Sequence, residues 1–385
     1  MMRARTMRAE ESTSAPLAVL LVDPSSHGGI VAYTALVARA LTQAGARART
    51  LGSRALEPRD GEMPLEPDLA VDPWSRPPGS ALAFFGRRLG SWIASAIAVM
   101  RAVRRHRPDV VHFQMPLNRR LDGALVRLLA LWRPVVWTAH DVLPFESTPQ
   151  DRRRFARIYR GVDALIVHTH PAADEVRALA GVRATVIEHP VAPHAVVPRA
   201  EARVRLGLDP DGRLLVALGF IRAYKGYDLL ADVWESLGAS APTLLVMGEL
   251  LAADQRPVVE RLRRCPRTVM RLGYASDEDV WLATCAADAL LLPYANASDS
   301  GVLHLGRAAG VPVIASDRPQ LAASVRETSA GAVVARDAAA WSAAVTGALP
   351  PPPPAPPPLA EVGARHLAVY REALARRRGA RRAMG

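Results

Sequence analysis

Short apolar runs recur along this chain with room for one helix between them. They lie at residues 16–22, 109–114, 134–139, 164–168 and 184–189, then at 214–218, 243–247, 269–272, 289–293 and 311–316. Each has the length of a buried strand rather than of a helix. Helical periodicity separates several of them, over residues 30–44, 81–107, 121–131, from 227 onward, and over 277–285 and 302–309. Alternation of this kind calls for parallel strands, because each crossover helix packs back on a sheet face. Two such blocks predict two Rossmann-like, doubly wound α/β domains facing across a cleft. The expected boundaries are 16–198 and 199–348, where Pro190, Pro193 and Pro198 stiffen a stretch with no periodicity. Residues 1–15 are expected to be a disordered tail. Residues 349–358 (LPPPPPAPPP) should form an extended polyproline spacer. An amphipathic helix over 359–378 should follow, with a frayed basic end to 385.

A chain of 385 residues that is half hydrophobic can bury two cores. Its net charge of +12 favours acidic partners: phosphates, anionic lipid surfaces or nucleic acid. No aromatic-interleaved basic patch or zinc-finger spacing supports nucleic acid, which is set aside. Cys265 and Cys285 have neither metal-ligand nor redox-pair spacing, which suits a reducing compartment. The first dozen residues lack an apolar core of the secretory type, and no apolar run reaches spanning length. The expectation is a cytoplasmic protein, peripheral at a membrane where residues 84–107 present Phe84, Phe85, Trp92 and Ile93 beside Arg101, Arg104, Arg105 and Arg107. An ordinary core-facing helix with a basic end fits the same pattern.

Candidate binding groups fall where strands end. Lys225 is the only lysine, against 48 arginines, and it lies with Arg222 in the loop after run 214–218. The C-terminal strand edge of an open α/β sheet is where ligands bind. An arginine fork and a mobile ammonium together suit a diphosphate, although a solvated basic loop would read alike. Gly28-Gly29, after the first run, lets backbone approach a ligand at a helix N-terminus; a plain tight turn is the alternative. Ser300-Gly301 opens a second helix that could hold an anion, or is an ordinary N-cap. His140 ends the run 134–139, where it can meet a hydroxyl or a phosphate or cap its own loop. Gly248-Glu249 and Tyr274 stand at further strand tips. His168, His170 and His189 are too dispersed in sequence for metal-ligand spacing and read as loop and strand-end residues.

Taken together, these segments resemble glycosyltransferase family 4 of the GT-B fold (glycosyltransferases group 1). The resemblance rests on His27-Gly28-Gly29-Ile30-Val31-Ala32-Tyr33, on Thr138-Ala139-His140-Asp141, and on the Gly219–Gly226 segment with its Ile221-Arg222 and Tyr224-Lys225 pairs. It also rests on the stretch from Ala286 to Tyr294, and above all on Ser300-Gly301-Val302-Leu303 followed by Gly310-Val311-Pro312-Val313-Ile314-Ala315. That last piece is similar to enzymes building exopolysaccharides and lipid-linked glycans. The resemblance implies a metal-independent, retaining transfer from a nucleotide diphosphate sugar, the co-substrate, to a hydroxyl acceptor. It implies that His140, Arg222 and Lys225 serve catalysis, and that Gly28, Gly29, Gly219, Arg222, Lys225, Gly248, Glu249, Tyr274, Asp299, Ser300, Gly301 and Val302 bind the donor. No metal or cofactor is implied; a lipid-linked glycan is the acceptor class expected from the resemblance, and the anionic membrane surface is expected from the basic helix 84–107 with Arg119, Arg120, Arg127 and Arg133.

One departure stands out. The family's two glutamates, eight residues apart, correspond here to Ala297 and Leu305, with Asp299 two residues from the first. Ribose binding would then fall to Asp299 or to backbone groups. Two other uses of the scaffold stay open on the sequence: a tailoring transferase acting on a soluble small molecule, and a non-catalytic GT-B scaffold.

Overall fold

The computed structural model describes residues 15–384 except 27, 57–64, 72–80, 145–146, 193, 252 and 298, with side chains at 81–85, 381, 383 and 384 left aside. The tail expected over 1–15, His27 of the first-loop motif, and the side chains of Phe84 and Phe85 therefore lie almost wholly outside the described residues.

The N-terminal sheet contains β1 (Ala18–Asp23), β2 (Arg47–Ser53), β3 (Leu65–Leu69), β4 (Val110–Phe113), β5 (Val135–Thr138), β6 (Ala164–Val167) and β7 (Thr185–Val186). Its helices are α1 (Gly29–Gln43), α2 (Ala81–His106), α3 (Asp122–Leu129), α4 (Pro149–Gly161) and α5 (His170–Ala180). The C-terminal unit has β8 (Leu214–Leu218), β9 (Thr243–Gly248), β10 (Thr268–Leu272), β11 (Ala289–Leu292), β12 (Val313–Ser316) and β13 (Gly331–Val334). Around it lie α6 (Arg199–Arg205), α7 (Tyr227–Leu237), α8 (Arg256–Arg264), α9 (Asp277–Ala286), α10 (Gly301–Ala309), α11 (Pro319–Glu327) and α12 (Ala338–Thr346), and the chain closes with α13 (Leu359–Met384).

Every strand pair is parallel. The sheet orders are β3-β2-β1-β4-β5-β6-β7 and β10-β9-β8-β11-β12-β13. Both reverse direction beside their first strand, between β1 and β4 and between β8 and β11. At such a reversal the flanking loops part and leave a crevice outside the strand ends. The central strands are buried on both faces, which is why they read as unbroken apolar runs.

Several sequence expectations need correction. The Pro-, Gly- and acid-rich stretch 52–80, which reads in sequence as a loop, contains the edge strand β3 and the end of β2. Arginine-rich β2 (RARTLGS) hides its strand character in alternating exposure, and β3 carries Pro67, which only an edge strand tolerates. The last helix runs to Met384 rather than fraying after 378. Nor is it a separate appendage: Leu359, Val362, Leu367, Tyr370 and Ala373 share one buried cluster with Tyr33, Val37, Ala40 and Leu41 of α1. Gly363 makes that approach possible, since a Cβ there would stand 2.0 Å from the Ala40 carbonyl oxygen. The polyproline spacer thus carries the chain back from the second unit to the first.

Candidate active site

The two crevices face one another and merge into a cavity of about 1100 Å³. From the N-terminal side, Asp23 at the tip of β1 organises the glycine loop. Its carboxylate accepts from the Ser25 N–H (2.9 Å) and the Thr34 hydroxyl (2.7 Å), tying the loop to α1. Gly28 and Gly29 line the cavity, with Gly28 against Phe220 of the other domain.

From the C-terminal side, the loop after β8 folds into a single 3-10 turn, Ala223–Lys225. It is stitched to the end of β11 by the Ala295 N–H donating to the Tyr224 carbonyl (2.8 Å). Lys225 Nζ sits over the Tyr294 ring, 3.9 Å from its centroid, and the Tyr294 hydroxyl is 3.1 Å from Ser300 Oγ. Arg222 lines the same cavity, its Cζ 6.0 Å from the Phe220 centroid. The cations and the start of α10 therefore converge on one wall.

Of the residues singled out from sequence, Gly28, Gly29, His140, Arg222, Lys225, Asp299, Ser300 and Gly301 line this cavity. Gly219, Gly248, Glu249, Tyr274 and Val302 are not among its lining; Tyr274 is 77% exposed, and Gly248 packs against the Gly219 backbone to continue the sheet. Two roles also change. The Ser300 N–H donates to Asp299 Oδ1 (2.8 Å), and the Leu303 and His304 N–H groups turn to the Ser300 carbonyl, so the amides at this helix start that lack a partner among the described residues are those of Gly301 and Val302. Asp299 is turned inward: Oδ1 also accepts from Ser324 Oγ (2.9 Å) and Oδ2 pairs with His304 Nε2 (2.8 Å). Burial raises the Asp299 pKa, but the charge and hydrogen bond of His304, with His168 and His189 behind, overrule it and hold the carboxyl below its ordinary range. Ala297 and Leu305, in place of the family's glutamates, line the cavity.

The histidines scattered in sequence are neighbours in space. His140 after β5, His168 after β6 and His189 after β7 all leave the same sheet edge, and each has its ring within 5.1 Å of the Tyr33 ring centre. His189 stacks on His304 of α10, 5.0 Å away and nearly parallel, across the domain boundary. Burial pushes down the pKa of His140, His168 and His189, the last to about 3, so these rings are neutral at pH 7. His170, by contrast, faces outward and pairs with Glu327 (3.1 Å). Tyr33, His168, His189 and His304 were missed as site residues; the usable signal was that three of the histidines end parallel strands at the ligand edge. No group of three or more His, Cys, Asp or Glu suited to a metal ion occurs among the described residues.

Comparison with known proteins agrees with this architecture. Residues 27–194 match the model of Glycosyltransferase Family 4, and residues 212–349 match Glycosyl transferases group 1. A D-inositol 3-phosphate glycosyltransferase of Actinosynnema mirum is 29% identical over 276 residues, 64% of this chain and 66% of that protein. A GDP-mannose:glycolipid 4-beta-D-mannosyltransferase of Xanthomonas campestris is 26% identical over 254 residues, 60% of this chain and 68% of that one. The match spans just under two thirds of the Actinosynnema protein, and 59% of a Mycobacterium relative bearing the same name. Among solved structures, sucrose-phosphate synthase from Thermosynechococcus elongatus superposes with a TM-score of 0.70 at 17% identity, covering 95% of this chain and 99% of that one. The Anabaena protein Alr3699/HepE, solved with UDP-glucose, superposes at 0.61 with 16% identity, covering 92% and 91%. With two reversed parallel sheets, a cleft between them and both halves matched, this chain belongs to glycosyltransferase family 4 and has the GT-B fold.

Proposed function

We propose that the protein transfers a sugar from a nucleotide diphosphate sugar to a hydroxyl acceptor, with retention at the anomeric carbon and without a required metal. One observation carries this reading: Arg222, Lys225 and the start of α10 converge on one wall of a cavity whose opposite wall holds His140. Departure of a nucleoside diphosphate builds negative charge on its β-phosphate. Fixed cations and helix amides aimed at that charge stabilise it without reorganising, the role a divalent cation plays elsewhere. His140, neutral at pH 7, meets the sugar rather than the phosphates. The names of the Actinosynnema and Xanthomonas relatives, and the UDP-glucose held by the Anabaena neighbour, are in keeping with such a donor.

The test is thermal stabilisation by UDP, GDP, dTDP and their sugars, with Lys225→Ala alongside. A ligand at 100 times its dissociation constant adds about 2.7 kcal/mol. One nucleotide should raise the melting point of the wild type and lose most of that effect in the variant. A folded protein that answers to none of them would return the scaffold reading, motivated by Ala297 and Leu305.

For the acceptor, a lipid-linked glycan at the cytoplasmic membrane face is the favoured class. Ile93, Ile97, Leu128, Leu131 and Trp132 are exposed on α2, α3 and the turn after α3, beside Arg101, Arg104 and Arg127. Such a surface suits an anionic interface, and no helix among the described residues is long and apolar enough to cross a membrane. Flotation with phosphatidylglycerol vesicles at physiological salt tests it; a protein that stays at the bottom of the gradient points to a soluble acceptor.

A further inference from the structure

His140 and His168 form a hydrogen-bonded pair whose direction is dictated from outside the pair. His168 Nδ1 lies 3.0 Å from the Ile187 carbonyl oxygen. A carbonyl only accepts, so this nitrogen carries the proton. Burial lowers the pKa of His168, a residue only 8% exposed, and a neutral imidazole holds one N–H. Its Nε2 is therefore an acceptor, and what lies against it, at 3.2 Å, is His140 Nδ1. That atom must donate. His140 is neutral as well, which leaves its Nε2 a bare lone pair, buried and without a partner among the described residues.

We propose that His168 is a positioning residue that locks His140 in the Nδ1–H tautomer, so that a ligand meets the side chain of His140 as a hydrogen-bond acceptor. A sugar hydroxyl can donate to it, whereas an ionised phosphate or carboxylate cannot. No group among the described residues competes for that lone pair; His140 lines the cavity, with the Tyr33 ring edge-on to it at 4.5 Å between ring centres. The identity of the hydroxyl as part of a donor sugar rests on the transferase reading above; the tautomer does not.

The test is 15N NMR of histidine-labelled protein at pH 7, with His140 assigned from His140→Gln. In the wild type, His140 should show a protonated Nδ1 and a pyridine-type Nε2. His168→Leu removes the acceptor, and His140 should move to the Nε2–H form or a mixture. His168→Gln should restore the wild-type pattern, because an amide can donate to the Ile187 carbonyl and accept from His140 at once. A loss of packing alone would not separate Leu from Gln in this way. An Nε2–H or doubly protonated His140 in the wild type would overturn the proposal, as would an unchanged tautomer in folded His168→Leu. Should the leucine variant fail to fold, the wild-type spectrum and the glutamine variant still decide. With UDP-glucose or GDP-mannose bound, the His140 Nε2 resonance should shift, while UDP or GDP alone should leave it in place; binding without that shift sinks the hydroxyl assignment. If none of the UDP, GDP and dTDP sugars binds, the transferase reading falls and the tautomer stands or falls on the free protein.

Discussion

Lys225 Nζ rests 3.9 Å from the centroid of the Tyr294 ring, and the Tyr294 hydroxyl reaches on to Ser300 at the start of α10. One aromatic side chain therefore aims the only lysine and ties it to the helix that would share its anion. Replacing Tyr294 by leucine should leave Lys225 present but unaimed. A contact of this kind is worth about 1 kcal/mol, or roughly fivefold in Kd. Isothermal titration with the nucleotide that stabilises the wild type should show that loss. Tyr294→Phe, which keeps the ring, should lose less.

Gly226 follows Lys225 with φ +74°, and a Cβ there would stand 1.9 Å from the Pro293 carbonyl oxygen. This close approach holds the cationic loop against the end of β11. Gly226→Ala should lower stability by about 2 kcal/mol or more and weaken nucleotide binding with it. Gly29→Ala is the contrast, since a Cβ at that position meets nothing within 4 Å. Its urea midpoint should stay near that of the wild type.

Arg307 of α10 is 5% exposed and pairs with Glu188, which follows β7 in the other domain. Glu188→Gln leaves a guanidinium buried without its counter-charge, a change that costs about 3 kcal/mol where such pairs have been broken. A lower melting point and a larger radius of gyration in X-ray scattering are expected. An unchanged scattering profile would mean that other contacts, such as Gln320 with Glu175 (2.6 Å), hold the domains together.

His366 of α13 is buried, and burial brings its pKa from 6.5 down to about 4. The unfolded chain takes up a proton at this residue near 6.5, while the folded protein does so only near 4. The residue therefore contributes stability at neutral pH that is lost as pH falls from 6.5 towards 4. Asp122, which burial pushes up to about 7, slopes the other way, losing stability as pH rises from 3.8. Subtracting the His366→Leu profile from the wild type isolates the histidine. From pH 7 to pH 5 the wild type should lose more stability, or gain less, than the variant does, as read from the signed shift of the urea midpoint.

Much of the site was legible because its groups sit in loops that local chemistry announces. Arg222, Lys225, Gly28-Gly29 and Ser300-Gly301 follow apolar runs, and a parallel sheet sends all such loops to one edge. Helix α4 was missed, although Thr148 and Asp151 cap it reciprocally with Pro149 at its first turn. Its apolar residues Phe155, Ala156, Ile158 and Tyr159 do keep helical spacing, but they are few and set among arginines. A strand tip suggests Tyr274 and the family segment suggests Val302, yet the cavity lining includes neither.

The sequence by itself determined the alternation of strands and helices, the two-domain division and the cationic loop. Each of these is written in periodicity and turn chemistry within about 20 residues, the scale on which local propensity acts. Only the tertiary structure decided that His140, His168, His189 and His304 meet in one cluster at the cavity between the two domains, and that one carboxylate, Asp299, answers them. It alone decided that α13 returns to pack on α1, where the Tyr370 hydroxyl and His112 Nδ1 lie 2.8 Å apart. The physical reason is the same in both cases. Partners as much as 258 residues apart meet through shape and burial, which leave no periodic trace along the chain.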